Sequence, residues 1–133
     1  MKHQPVLTPE ILQLLDPQSG ETYLDATAGY GGHADLIAQK VGQKGRLILV
    51  DRDSDAIREL GQTFGDNAEL IRSSYLEAAE KLLENGEMVD MILLDLGVSS
   101  PQIDNPDRGF SFQADGPLDM RMDQTQRLTA AEV

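Results

Sequence analysis

Two acids flanking a glycine-rich turn are the residues of this chain best placed to do chemistry. Asp25-Ala-Thr-Ala-Gly29-Tyr-Gly31-Gly32-His33 follows a short apolar run and opens a helix-like pattern, and Asp51 closes the next apolar run. Glycines in such a turn let the backbone bend tightly and let a ligand approach without meeting a Cβ, while the free N–H groups of the following helix face it. The spacing Gly29-x-Gly31-x-x-Ala34 suits a dinucleotide as well as S-adenosylmethionine. Asp25 separates the two: a carboxylate at the mouth of the turn repels a pyrophosphate and attracts an α-ammonium and sulfonium end. Asp51 lies about 20 residues further on, at the spacing of an acid that grips ribose hydroxyls. Read without a ligand, Gly29 to Gly32 is a tight turn, Asp25 a capping acid, and Tyr75 a packing aromatic at a helix start. His33, in the first turn of a helix, is expected to be solvated and neutral and is not read as a base.

A second suggestive segment is Asp95-Leu-Gly-Val-Ser99-Ser100-Pro101-Gln102. It leaves the last apolar run with an acid, two hydroxyls and a proline-stiffened turn, a combination able to hold an amine. Methyl transfer to the exocyclic amine of a base needs no covalent intermediate; the nitrogen must be held in line while acceptors orient its N–H groups. Asp95, Ser100 or backbone carbonyls of this turn can supply acceptors, with Ser99 and Pro101 shaping it. As a bare Ser-Pro turn it is generic.

The elements that must position these groups alternate. A helix is expected over 6–15, with Thr8 as cap and Pro9 in its first turn. Strands are expected over 22–26, 47–50, 69–72 and 89–95, with helices over 32–41, 54–63 and 75–83 between them. This β-α-β-α-β-α-β order calls for a parallel sheet with helices on both faces and strand order 3-2-1-4. The switch point between strands 1 and 4 brings Gly29–His33 and Asp95–Gln102 to one crevice, with Asp51 and Tyr75 on its rim. Residues 97–123 show no sustained apolar period and read as a long loop, with Phe110, Phe112, Leu118, Met120 and Met122 as apolar anchors.

Composition narrows the class. The 133 residues suit one domain but are short for a complete doubly wound enzyme. With no cysteine, disulfides, thiolate metal sites and a cysteine nucleophile are excluded. The acids between Asp104 and Asp123 fit no calcium or zinc spacing, so no metal is expected. No run is long enough to span a bilayer, and Met1-Lys-His-Gln-Pro lacks a signal peptide's apolar core, which points to a cytoplasmic protein. The formal charge of −12, from 23 acids against 11 Lys and Arg, makes a lone RNA binder a poor prospect. Either the substrate is small, or basic surface comes from elsewhere in the protein or complex.

Gly31-Gly-His33, Leu93-Leu-Asp-Leu-Gly-Val-Ser-Ser-Pro-Gln102, Arg108-Gly-Phe-Ser-Phe112 and Asp115-Gly-Pro-Leu-Asp-Met-Arg-Met-Asp123 together resemble the bacterial 16S rRNA cytosine-N4 methyltransferases of the RsmH (MraW) type. The resemblance starts at His3-Gln-Pro-Val-Leu7 and runs through nearly the whole chain. It implies a class I, Rossmann-like methyltransferase fold, S-adenosylmethionine as donor, and a cytidine in the decoding region of small-subunit rRNA as acceptor. It also implies cofactor contacts at Gly31, Gly32, His33, Asp51, Tyr75, Asp95 and Gln102, beside the Asp25 and Gly29 read from the residues. Tyr75 departs mildly from the phenylalanine frequent there.

Members of that family are more than twice as long, so the resemblance covers only their N-terminal part. Residues 1–96 then correspond to cofactor-binding β/α units, and 97–133 to a loop segment leading toward an insertion domain. Met91-Ile-Leu-Leu94 is expected to be an exposed apolar edge, covered either by more of the protein or by a homodimer through strand 4. Other readings of the same residues are a methyltransferase for another amine, a cofactor-binding module without catalysis, and a NAD-linked oxidoreductase, against which Asp25 argues.

Overall fold

A computed structural model describes residues 5–133, so His3 and Gln4 of the first resemblance block, and the N-terminal residues before them, lie outside the described residues. The chain forms two compact units, 1–95 and 96–133.

In the first unit, β1 (Thr22–Asp25), β2 (Arg46–Asp51), β3 (Glu69–Arg72) and β4 (Met91–Leu93) form a parallel sheet in the order β3-β2-β1-β4. Helices α1 (Thr8–Leu15), α2 (Gly32–Val41), α3 (Ser54–Phe64) and α4 (Tyr75–Glu84) complete it. Side chains alternate across a strand, and in β2 both faces are apolar: Leu47 and Leu49 join one core with Ile37, Leu60 and Phe64, while Ile48 and Val50 join another with Ala78 and Leu82. Ala56, Leu60 and Phe64, four apart, are the buried stripe of α3, whose start is capped by the Asp53 carboxylate accepting from the Asp55 N–H. A reciprocal Ser74–Glu77 capping box starts α4. Tyr23 is fully buried on the α2–α3 side, and Asp25, two residues on, lies on the same face.

The α/β class and the strand order are as expected, and three local expectations need correction. Helix α1 starts at Thr8; Leu7, at φ 52°, is the residue before it, and the Thr8 hydroxyl donates to the Pro5 carbonyl instead of capping. Strand β1 ends one residue early, at Asp25. Strand β4 spans Met91–Leu93, not 89–95: Leu93 accepts the Ala26 N–H, and beyond it β1 has turned into the glycine segment, so the Asp95 N–H finds the Thr27 hydroxyl instead of a strand.

Residues 97–123, expected as a long loop, are mostly irregular, with short elements inside. A short helix α5 (Ser100–Asp104) follows Ser99, whose N–H donates to the Gln102 Oε1 at 3.0 Å, and 3-10 turns cover Pro106–Arg108 and Ala130–Glu132. Of the expected apolar anchors, Phe110 and Met122 are half-buried, whereas Phe112 is 98% exposed and Leu118 and Met120 are exposed as well. Arg108 is the buried centre of the segment. It is 4% exposed, its guanidinium donates to the Arg121 and Met122 carbonyls at 3.2 and 3.1 Å, and it sits 6.0 Å from the Phe110 ring centre. Gly109, at φ +73°, permits this wrap: a Cβ there would lie 2.3 Å from the Pro117 carbonyl oxygen.

Candidate functional site

The carboxyl ends of β1, β2 and β4 bring three acids together around the glycine turn. Asp25 ends β1 and is 1% exposed; its Oδ2 accepts the Tyr23 hydroxyl at 2.9 Å and its Oδ1 the Thr27 N–H at 3.2 Å. Asp51 ends β2 and is half-buried; its Oδ2 accepts the Gly29 N–H and its Oδ1 the Asp53 N–H, both at 2.8 Å. Asp95 follows β4, with its N–H on Thr27 Oγ1 at 2.7 Å and its side chain 50% exposed.

Burial is the main reason that Asp25 is pushed up to about 6, with Asp51 and Asp95 adding repulsion against the lowering hydrogen bonds from Tyr23 and Thr27. Burial likewise raises Asp51, against the hydrogen bonds from Asp53 and Gly29. A fixed cluster of negative charge whose ionised form is strained is stabilised by a cation.

His33 departs from expectation. It is 9% exposed, not solvated, and burial lowers its affinity for a proton while Asp95 raises it. The His33 Nε2 lies 3.8 Å from Asp95 Oδ2, too far for a hydrogen bond. A neutral imidazole there forms a wall rather than a charge.

The glycines divide in role. Around Gly29 a Cβ would meet nothing within 4 Å, so the backbone there is open to approach. At Gly31, φ +82°, a Cβ would lie 2.9 Å from both Leu60 and Phe64, so this glycine lets α2 pack on α3. A Cβ on Gly32 would press on Pro5 at 3.2 Å. The turn is braced by Ala28 N–H to the Val50 carbonyl and Gly31 N–H to the Ala28 carbonyl, both 2.9 Å. Behind it the first-turn N–H groups of α2 have no intrahelical acceptors.

Tyr75 opens α4, is 43% exposed, and lines an apolar cavity of about 180 Å³ with Ala26, Val50, Ala79 and Leu94. The first unit therefore brings together Asp25, Gly29, Asp51 and Asp95, with His33 against Asp95. Ser99, Ser100, Pro101 and Gln102 belong to the second unit, where Ser99 precedes α5, Ser100 and Pro101 form its first turn, and Gln102 is 5% exposed. Sequence reasoning missed Tyr23 and Thr27. Both signals were available: Tyr23 shares strand parity with Asp25, and Thr27 is the hydroxyl inside the turn.

No group of three or more His, Cys, Asp or Glu able to hold a metal ion occurs among the described residues, and none of their helices is long and apolar enough to cross a membrane.

The chain is 46% identical over 136 residues to Ribosomal RNA small subunit methyltransferase H of Syntrophotalea carbinolica, covering 99% of this chain and 43% of that protein. It is 47% identical over 133 residues to the protein of the same name from Halorhodospira halophila, covering 97% and 41%. The chain thus spans roughly two-fifths of the length of these relatives. A solved structure from Clostridium thermocellum, provisionally named an rRNA-methylase, shares the fold at TM-score 0.50 and 22% identity, over 60% of this chain and 48% of that one. The model of the MraW methylase family matches residues 1–133, and the chain belongs to that family.

Proposed function

We propose that this chain carries the donor site of an S-adenosylmethionine-dependent methyltransferase that methylates N4 of a cytidine in the decoding region of 16S rRNA, acting on the small ribosomal subunit in the cytoplasm. The observation that carries the reading is the cluster of Asp25, Asp51 and Asp95 around an open Gly29 backbone. A pyrophosphate is repelled by such a cluster, and a ligand with an ammonium and a sulfonium is attracted. The relatives' names support the rRNA substrate.

The residues fit such a donor. Asp25 is the buried counter-charge for the ammonium end, Asp51 keeps lone-pair capacity beyond its backbone partners for ribose hydroxyls, and Tyr75 with the apolar cavity suits the adenine. His33, Gly31 and Gly32 shape the wall and floor. When bound, S-adenosylmethionine supplies an electrophilic methyl group on a cationic sulfur. The protein's work is then to orient and exclude water, which is where proximity gains arise. The Asp95 carboxylate, with Ser99, Ser100, Pro101 and Gln102, is assigned to the acceptor amine, whose N–H groups need fixed acceptors while the lone pair is presented. Water can take the proton released afterwards.

The test is transfer of labelled methyl groups from S-adenosylmethionine to small ribosomal subunits lacking the modification, followed by nucleoside analysis. N4-methylcytidine at the decoding region supports the proposal. Saturable S-adenosylmethionine binding without transfer reduces this chain to a binding module, and binding of NAD instead overturns the donor assignment.

A further inference from the structure

We propose that Tyr23 is a positioning residue of the donor site: its buried hydroxyl aims the Asp25 carboxylate and favours the ionised form that receives the ammonium end of the ligand. The inference rests on the assignment of Asp25 to that ammonium, and extends it to a residue that touches no ligand.

Tyr23 is 0% exposed, packed in the core between the sheet and α2–α3, so its phenol cannot reach water. A buried hydroxyl needs a partner, and this one donates to Asp25 Oδ2 at 2.9 Å. The Thr27 N–H occupies Oδ1 at 3.2 Å. Two donors, one on each oxygen, fix the carboxylate plane at the end of β1. Burial and the neighbouring Asp25 both hold the Tyr23 proton firmly, so Tyr23 remains the donor at every accessible pH.

The surroundings give this hydrogen bond its purpose. The charged groups acting on Asp25 are Asp51 at the end of β2 and Asp95 after β4, both repulsive; His33 of α2 faces Asp95. Burial and these acids outweigh the hydrogen bonds and leave Asp25 raised to about 6, and the Tyr23 hydroxyl is the largest of the influences that pull it down. Without that hydroxyl a larger fraction of the protein holds Asp25 protonated near neutral pH, and a cation must expel the proton to bind.

The sign follows from linkage. Above the Asp25 pKa the carboxylate is already ionised, and ligand affinity is independent of its titration. Below it, each binding event releases a proton, so affinity falls as pH drops. Removing a donor from the charged form raises the pKa and starts that fall at higher pH.

The experiment compares the full chain with its Tyr23→Phe variant, which keeps the ring and the packing. Calorimetric titration with S-adenosylmethionine is run from pH 5.5 to 8.5, with the carboxyl 13C shift of Asp25 followed without ligand. Dividing the two affinities at each pH cancels the ligand's own amine titration. The proposal expects Asp25 to titrate about one unit higher in the variant, and a deficit of about tenfold at the acid end that closes above neutrality. An equal deficit at all pH values, or an unmoved Asp25 titration, overturns it, because packing alone gives those results. An Asp25→Asn variant that binds as tightly as wild type instead overturns the underlying ammonium assignment, whatever Tyr23 does to the titration.

Discussion

The Asp51 carboxylate holds the Gly29 N–H at 2.8 Å, so the acid at the end of β2 also fixes the one glycine of the turn whose surroundings are open. The ribose recognition proposed for Asp51 and the geometry of the turn are therefore linked through a single side chain, with the second oxygen occupied by the Asp53 N–H.

Asp51→Ala strips both N–H groups of their acceptor, an expected loss of about 1–3 kcal/mol in stability. The same change is expected to weaken S-adenosylmethionine binding tenfold or more by calorimetry. Asp51→Asn keeps one oxygen acceptor, so its stability should fall between the two; a variant as stable and as tight-binding as wild type would remove Asp51 from the site.

Asp25 carries a different signature. Its folded pKa of about 6 lies above the ordinary 3.8, so the folded state binds the extra proton between those values. The stability this supplies is complete below about pH 4 and is lost as pH rises through 6. The depressed acids Glu77, Glu87, Asp119 and Glu132 work in the opposite sense, but they are common to both proteins in a comparison with Asp25→Asn. From pH 4 to 7.5, wild type should lose on the order of 2–3 kcal/mol relative to that variant in urea unfolding. A constant difference would mean that Asp25 ionises as freely folded as unfolded. Any gain in stability comes with loss of the counter-charge, so the variant should bind S-adenosylmethionine poorly at every pH.

Much of this was legible in the sequence because periodicity and glycine placement report on backbone and core. The strand order follows from four apolar runs separated by helical ones, and by position alone Asp25 and Asp51 fall at strand ends, with Asp95 two residues past the end of β4. What was not legible depends on partners distant in sequence. Thr27 and Asp95 are 68 residues apart, and only the β1–β4 register brings the hydroxyl to the N–H. The burial of His33 likewise depends on tertiary packing around α2. What holds the residues after Asp95 was not legible for another reason: a unit tied by a buried arginine and carbonyl oxygens has no apolar period to detect, although Ser99-x-x-Gln102 was a readable capping signal for the short α5.

Thr27→Val removes the acceptor for the Asp95 N–H while keeping the shape of the side chain. It should cost about 1 kcal/mol and loosen the segment that leaves β4. Faster amide exchange at Asp95, with affinity for S-adenosylmethionine reduced severalfold, is the expected result. Thr27→Ser should restore both, and unchanged exchange in the valine variant would show that the hydrogen bond does not hold the segment.

Among the described residues strand β4 pairs only with β1, and Ile92 within it and Leu94 just after it are 58% and 47% exposed. An apolar edge of this kind invites strand addition, which supports the proposal of a homodimer through β4. Light scattering of the 133-residue chain should give twice the monomer mass, and Ile92→Lys should return it to the monomer with the first unit still folded. A monomer at high concentration in the unaltered chain rejects the dimer.

Arg108 should control the second unit alone. Its guanidinium ties residue 108 to the carbonyls of Arg121 and Met122, and Arg121 in turn grips Asp119 through two nitrogens at 2.8 and 2.7 Å. Both carbonyls are served by the one nitrogen Nη2; Arg108→Lys keeps the charge but carries it on a shorter, unforked side chain that must shift to reach them, and Arg108→Met removes the charge and takes this donor from both carbonyls. The lysine variant should cost about 1 kcal/mol and the methionine variant about 2 kcal/mol within this unit. Limited proteolysis reads the result directly: cleavage should shift into residues 96–133 in the order wild type, lysine, methionine, while the core of the sheet resists. Equal cleavage in all three would mean that the turns at Gly109 and the Asp119–Arg121 pair hold the unit without the buried arginine.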